Sequence, residues 1–394
     1  MMLAELVVES GWHERLWCPV QCEVELPEGL TLEELRLRDK RAGRSMSLQV
    51  WPSEEGRVGL TWVVDEMEQL SRRSYELVAS DEAQALAGEG VVLSQKAPGE
   101  LRVHIGGEPF TGYHFGPQVA RPYLYPILAS GGAGVTRNWP MVADVPGETH
   151  DHPHHKGLWT AHGDVNEVDN WSEAPGHGTM VHRRFTRRHS GPVVGGFAQE
   201  LDWTDAEGKR VLTETRCVRF YNTPPQIRLF DWQVTLHASE GEVVLADTKE
   251  AGLISVRVAT SMNAKNAGRI ENGYGARQEA ETWGKRAPWC DYSGPVEGAW
   301  RGICLMDHPA NPRHPTHWHV RDYGLMTANC FGLHDFTGDP NSRWDLAIPA
   351  GESRTWCYRV LVHEGDAAEG HVVVHYHDYV HPPQVQVLPP HGLL

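Results

Sequence analysis

No stretch of this 394-residue chain approaches the roughly 18 consecutive apolar residues that a membrane-spanning helix needs. Its first residues, Met1-Met2-Leu3-Ala4-Glu5-Leu6, lack the basic and apolar segments of a secretory signal. The expectation is a soluble, cytoplasmic protein with no membrane partner. Positive charge is also short: 36 Lys and Arg stand against 52 Asp and Glu, a net charge of −16, with no basic block. That excludes an electrostatic nucleic-acid footprint and suits a neutral, sugar-like small molecule better. Cysteine is sparse and odd in number, seven residues at 18, 22, 217, 290, 304, 330 and 357, which form neither a paired disulfide framework nor a CxxC knuckle. Buried reduced thiols are the expected state. No GxSxG or HExxH occurs, and Gly131-Gly132-Ala133-Gly134 lacks the lysine of a P-loop and the strand context of a dinucleotide turn. Serine hydrolase, zincin and nucleotide-binding readings therefore lose their usual support.

What is present suggests sheets. Hydrophobic content is 40% and charged content 22%, both ordinary for a folded chain, and the length allows two domains. Up to about residue 95, short apolar runs at 22–26, 48–51 and 58–64 alternate with Pro, Gly and acidic turns, the pattern of a small N-terminal β domain (1–95). An Ala-, Glu- and Gly-rich stretch at 80–90 reads as a link to a second domain at 96–394. Beyond it, apolar residues recur with period two: Leu101, Val103, Ile105; Phe230, Trp232, Val234, Leu236; Ile254, Val256, Val258; Trp356, Tyr358, Val360, Val362. That period over so long a span predicts an all-β protein with a large antiparallel sheet system. With 40 Gly, 26 Pro and 15 Trp, turns are abundant, and the connections 130–147, 167–179 and 272–298 read as functional loops presenting exposed tryptophans. One helix is expected near the C-terminus, where Asp366 can cap a segment with Val373, Tyr376, Tyr379 and Val380 at helical spacing before Pro382.

Nine of the 23 histidines fall in two windows, His150 to Asp164 and Asp307 to Tyr323. Imidazole is the side chain that binds metals, relays protons and hydrogen-bonds polar ligands near neutral pH. If His317-Trp318-His319-Val320-Arg321 is extended, His317, His319 and Arg321 share one face. His152 and His154 would likewise share a face through Pro153, with His155 opposite and His162 matched to Asp164 in parity. Any of these could meet His317 and His319 in one pocket, and His152, His154, His317 and His319 could hold a divalent metal with an open position. A metal-free hydrogen-bonding site is the rival, and no cofactor is certain. For His150, His308 and His314, loop or capping roles are expected. A histidine acid needs a carboxylate partner of different pKa; the choices are Asp164, Glu173, Glu250 and Asp307. Glu250 lies at a turn beside Lys249, where its carboxylate should stay ionised. Tyr123, Tyr125, Trp139, Trp159, Trp171 and Trp283 lie in or near the same segments and could stack on sugar rings.

These residues also carry a resemblance. PYLYP at 122–126, VTR at 135–137, DHPHHKGLWTAHGDVN at 151–166, WGKR at 283–286 and DHPANPRHPTHWHVRDYG at 307–324 are similar to bacterial proteins of the "PmoA family", from about residue 100 to 365. The label borrows from a membrane-embedded methane monooxygenase subunit, which a chain without a membrane segment does not match. The resemblance implies a galactose-mutarotase-like supersandwich with a sugar-sized groove, and a role in carbohydrate catabolism beside sugar oxidoreductases of the Gfo/Idh/MocA type. Mutarotase-like enzymes use a histidine acid and a glutamate base, which by position and chemistry implies His155 or His162 as acid and Glu250 as base. With His317, these are the catalytic candidates. The matched motifs and the windows above imply that Tyr123, Tyr125, Arg137, His152, His154, Lys156, Trp159, Asp164, Trp171, Lys249, Trp283, His319 and Arg321 line the groove.

Three functions follow: a sugar epimerase, mutarotase, lyase or hydratase; a non-catalytic carbohydrate-binding protein; or a metal-dependent oxygenase of the cupin sort. Substrate identity and oligomeric state are left open by the sequence.

Overall fold

A computed structural model describes residues 1–27, 29–53, 57–80 and 90–390. The chain is 51% strand and 7% helix. Two eight-stranded antiparallel sheets pack face to face. The first runs, in spatial order, His317–Val320, Leu325–Asn329, Ala251–Arg257, Leu158–His162, Tyr123–Ile127, Glu108–His114, Glu100–Ile105 and Val91–Ala97. The second runs Thr179–His189, Val194–Thr204, Arg210–Tyr221, Ile227–His237, Ser353–Glu364, Ala299–Asp307, Trp289–Val296 and Arg269–Asn272. All four period-two segments seen in the sequence fall on these strands, because one side of each must enter the shared core. Phe110, Phe220 and Phe230 meet mainly edge to face there, their centroids 5.5 to 6.0 Å apart, with Trp232, Trp318 and Trp356 fully buried beside them.

At the N-terminal end, two smaller sheets enclose a separate core around Leu6, Leu37, Leu60, Trp62 and Tyr75. One consists of Arg15–Glu25, Arg57–Met67 and Gln49–Pro52. The other includes Met2–Glu9, Arg72–Ala79 and Leu35–Asp39, and at its edge the strand Gln384–Leu388 pairs antiparallel with Met2–Glu9. The C-terminus thus returns to the first sheets, and a single cut near residue 95 does not separate the strands by sheet. The proposed link lies largely on 81–89, outside the described residues.

Two sequence expectations are corrected. The stretch 272–298 is not one loop, since it holds the helix Gln278–Thr282 and the strand Trp289–Val296. That strand carries Asp291, Ser293, Gly294 and Pro295 between its apolar residues, so it reads as a turn although it is buried on both faces. The C-terminal helix is real but begins later, at Val372–Val380. Asp366 instead accepts the backbone N–H groups of Ala368 and Glu369 in the preceding turn, Val373 is 54% exposed, and Val372, His375 and Asp378 are the buried positions. All seven cysteines are free thiols, but only Cys18, Cys290, Cys304 and Cys330 are buried as expected, whereas Cys22, Cys217 and Cys357 are half-buried.

Between the large sheets lies one ion pair with no access to water. Arg216 donates to Glu214 two residues earlier on the same strand at 2.6 Å, Trp203 Nε1 donates to the same carboxylate at 2.7 Å, and the Arg216 guanidinium lies 4.9 Å from the Trp232 ring centre. Both side chains are wholly buried. Removing one member strands the other charge, so Glu214→Ala should cost about 3–5 kcal/mol in urea unfolding. A paired replacement of Glu214 and Arg216 by apolar residues of similar size should cost far less; equal losses would contradict this assignment.

Candidate functional site

Strand alternation sends Leu158, Thr160 and His162 of one central strand into the main core and Trp159 and Ala161 to the opposite, outer face. Register then extends that outer face: Trp159 pairs with Tyr123 on one side and Ser255 on the other, Arg257 pairs with Leu325, and Thr327 pairs with both Ser255 and His319. Gly157 feeds this strand with φ +55, and a Cβ there would sit 2.0 Å from the Leu124 carbonyl oxygen. Only glycine fits this approach, which brings the histidine segment directly onto the sheet.

That segment is not extended. His152 has φ +44 and its carbonyl accepts the N–H of His155 at 3.0 Å, so residues 152–155 form a tight turn. The turn overrides the alternation expected through Pro153 and puts His152 and His155 together, not on opposite faces. Four rings stack in a column from floor to surface: Trp159 on His155 (5.3 Å), His155 on His152 (4.8 Å) and His152 on Tyr323 (5.1 Å). His154 and Trp171 stand edge-on to it, each nearly perpendicular to His155.

A shared carboxylate fixes the column. Asp151 Oδ1 accepts from Arg137 at 2.6 Å and from Arg257 at 2.7 Å, and Oδ2 accepts from His152 Nδ1 at 2.8 Å. Both guanidiniums are fully buried, so one carboxylate faces two buried cations. Burial works against its ionisation, yet Arg257, the His152 bond and Arg137 hold the Asp151 carboxyl well below the usual range. Arg137 is lowered to about 10 by burial and by its neighbour Arg257. Arg257 also donates to His155 Nδ1 at 3.2 Å and covers the Tyr323 ring at 4.7 Å. Because a guanidinium only donates, His155 Nδ1 must be the acceptor and Nε2 must carry the proton. His155 is 1% exposed, and its Nε2 has no partner among the described residues. Trp159 Nε1, Trp171 Nε1, Ser255 Oγ and Thr327 Oγ1 on the same face are buried and unpartnered too. Such orphaned donors are uncommon in a folded protein and converge here on one face.

His317 and His319 belong to a neighbouring group. The strand alternates as the sequence predicts, Trp318 and Val320 entering the core. His317 stacks on Phe336 at 5.6 Å with Trp344 edge-on, and Trp283 donates to His319 Nδ1 at 3.1 Å. The two groups adjoin: His319 is lowered to about 3 by burial, Arg321, Lys249 and His152. Arg321 pairs with Glu279 at 3.0 Å. Glu250 sits 3.7 Å from Lys249 and also feels His152, and burial outweighs both and raises its carboxyl above the ordinary range.

Other predicted residues fall elsewhere. His162 points into the main core against Phe331, 4.8 Å away, is lowered to about 3 by burial, and accepts the Asp164 N–H on Nδ1. It is separated from the ring column by the thickness of the sheet, so it does not join His155. Asp164 closes a turn by accepting the Glu167 N–H. Lys156 donates to both oxygens of Glu173, and Arg121 lies 3.6 Å from the same carboxylate. Tyr123 flanks Trp159, whereas the Tyr125 hydroxyl donates to Asn138 at 2.7 Å and holds the adjacent loop. Trp171 (2%) is buried, contrary to the expectation of an exposed platform in the 167–179 connection, because it packs on Trp159 and His155. His314, His308 and His150 take loop roles: His314 bonds Asp307 at 2.7 Å, His308 Nδ1 accepts the Ala310 N–H, and His150 stacks on Trp139 at 4.3 Å. His152, His154, His317 and His319 do not gather their donor atoms as a ligand set; among the described residues, the one such group of three is His13, His377 and His381. Asp151, Arg257 and Tyr323 were missed as site residues. A charged residue ending an otherwise apolar strand, as Arg257 does, was the available signal.

Residues 100–377 match the family described as "Family of unknown function (DUF6807)". The chain belongs to that family. No curated protein matches it. Among solved structures it is similar to an alpha-mannosidase from Enterococcus faecalis V583, at 9% identity and a TM-score of 0.47 over 99% of this chain and 46% of that one. A glycosyl hydrolase family 38 protein from Enterococcus faecalis gives 8% identity and 0.44 over 100% and 48%. An alpha-galactosidase from Lactobacillus brevis gives 11% and 0.31 over 71% and 40%. This chain spans less than half the length of each. No described helix is long and apolar enough to cross a membrane.

The buried imidazoles make stability acid-sensitive. Burial lowers His154 and His317 to about 4 and His162, His319 and His375 to about 3, against 6.5 in the unfolded chain. The unfolded state therefore binds more protons between those values, and stability falls as pH drops below about 6.5, by up to about 1.4 kcal/mol per pH unit per histidine. His363, Asp378 and Glu250, all raised, oppose this and are outnumbered. The unfolding free energy by urea titration should decline steadily from pH 7 to pH 5; a flat or rising profile would contradict the burial of these rings as neutral groups.

Proposed function

We propose that this outer sheet face is the centre of a carbohydrate-active protein of the isomerase or lyase type, acting on a sugar or keto-sugar by imidazole and carboxylate proton transfer. One observation carries the proposal: two stacked imidazoles are held through their Nδ1 atoms by opposite partners, His152 by the Asp151 carboxylate and His155 by the Arg257 guanidinium. His152 gives its Nδ1 proton to Asp151, leaving Nε2 with a free lone pair, while His155 presents an unpartnered Nε2–H. Burial, then His154 and Arg257, hold His155 well below the ordinary imidazole range, so it donates as a neutral group.

In this reading His155 Nε2–H hydrogen-bonds a carbonyl or ring oxygen of the substrate. The excess positive charge of two guanidiniums over one carboxylate favours negative charge developing on that oxygen. The proton leaving carbon or hydroxyl passes to His152 Nε2 or to Glu250, whose raised carboxyl makes it the stronger base of the local acids. Tyr323, stacked on His152, closes the outer end of the ring column, and His319, Lys249 and Arg321 supply polar contacts beside it. The resemblance of the sequence motifs to mutarotase-like proteins supports a sugar ligand. The four histidines named as metal ligands are used here as hydrogen-bonding groups, and the ring column gives the oxygenase alternative no ligand set.

The test is turnover and calorimetric binding across a panel of aldoses, ketoses and keto-sugars. Both His155→Gln and His152→Ala should lower turnover at least about 100-fold while the melting temperature stays within a few degrees of the parent. Saturable binding without conversion by the parent protein would leave a binding protein and overturn the enzymatic part. Absence of binding by any sugar would overturn the proposal.

A further inference from the structure

A second histidine cluster lies away from the outer sheet face, where the two ends of the chain meet. His13 sits in the turn between the strands Met2–Glu9 and Arg15–Glu25. His377 lies in the helix Val372–Val380, and His381 follows it directly, its N–H bonded to the His377 carbonyl at 2.8 Å. Four residues apart on a helical turn, the last two side chains share one side. His13 stacks on His377 at 4.0 Å and lies 5.3 Å from His381. One donor atom from each of the three lies within 4.8 Å of the others.

None of the three rings makes a hydrogen bond among the described residues, and Nδ1 of His377 is shielded from water without a partner. The nearby Arg15 is committed elsewhere, to Asp378 at 3.1 Å and to the His381 carbonyl at 2.7 Å. Those bonds pin the backbone that carries His381.

We infer that His13, His377 and His381 form a binding site for one divalent transition metal of the imidazole-preferring class, zinc or nickel, clipping the C-terminal helix to the N-terminal sheets. Metal–nitrogen bonds of about 2.0–2.1 Å in tetrahedral geometry bring ligand nitrogens to about 3.3 Å. The present spacing of at most 4.8 Å closes to that value when side-chain rotation opens the parallel His13–His377 stack and turns both lone pairs toward His381. His381 is exposed, so water completes the fourth position and the ion exchanges with solvent. Imidazole ligands without carboxylate or thiolate select against magnesium and calcium.

The experiment is a calorimetric titration of chelator-treated full-length protein with zinc and nickel chloride, alongside cobalt(II) absorption. We expect one equivalent bound, a visible band of tetrahedral cobalt, and a higher melting temperature with zinc. His381→Ala, at an exposed position that the fold tolerates, and His13→Gln should each weaken binding at least about ten-fold, whereas His154→Ala keeps it. No saturable binding, undiminished binding by both variants, or loss only in His154→Ala would overturn the assignment.

Discussion

One carboxylate holds the candidate site together. Asp151 takes hydrogen bonds from two buried guanidiniums and an imidazole, so three positively disposed groups depend on a single negative charge. Without it, Arg137 and Arg257 would be unpaired cations in the interior, the costliest state for such groups. Arg137 in turn donates to the carbonyls of Trp139, Asp151, His152 and His155 and shapes the turn that carries the histidines. The conformation of residues 137–157 and the charge of the site are therefore the same piece of chemistry.

The sheet supplies the other half. Arg257 reaches Asp151 because it ends a strand on the outer face, and Trp159 lies under His155 because its own strand alternates in the same register. A rigid two-sheet body thus sets the floor, and a turn too tight to be regular strand sets the rings above it. This division lets a buried, neutral imidazole present a proton without an acceptor, an arrangement that costs stability unless a ligand or water satisfies it.

Much of the fold was legible in the sequence because a sheet packed on another sheet forces apolar residues to alternate, as at Phe230 to Leu236 and Trp356 to Val362. The strand Trp289–Val296 escaped notice, since burial on both faces there accommodates Asp291, paired with His363 at 2.8 Å, and Gly294, which lets Met262 approach closely. The histidine windows stood out in the sequence by their density alone, and their geometry was not readable. The left-handed backbone at His152 reverses the expected parity, and a strand that faces two ways carries His162 into the core while Trp159 faces out. Asp151 looked like one acid among many because its importance comes from Arg137 and Arg257, which no local pattern links to it. The cluster of His13, His377 and His381 was invisible for the same reason: its members come from opposite ends of the chain.

The most direct test of this account is the protonation pattern of His155, read by long-range proton–nitrogen NMR of imidazole-labelled protein at pH 7, alone and with a bound sugar. The account predicts a neutral ring with the proton on Nε2, and a shift of that resonance when ligand saturates the site. A proton on Nδ1, a doubly protonated ring, or an Nε2–H signal indifferent to bound ligand would contradict it.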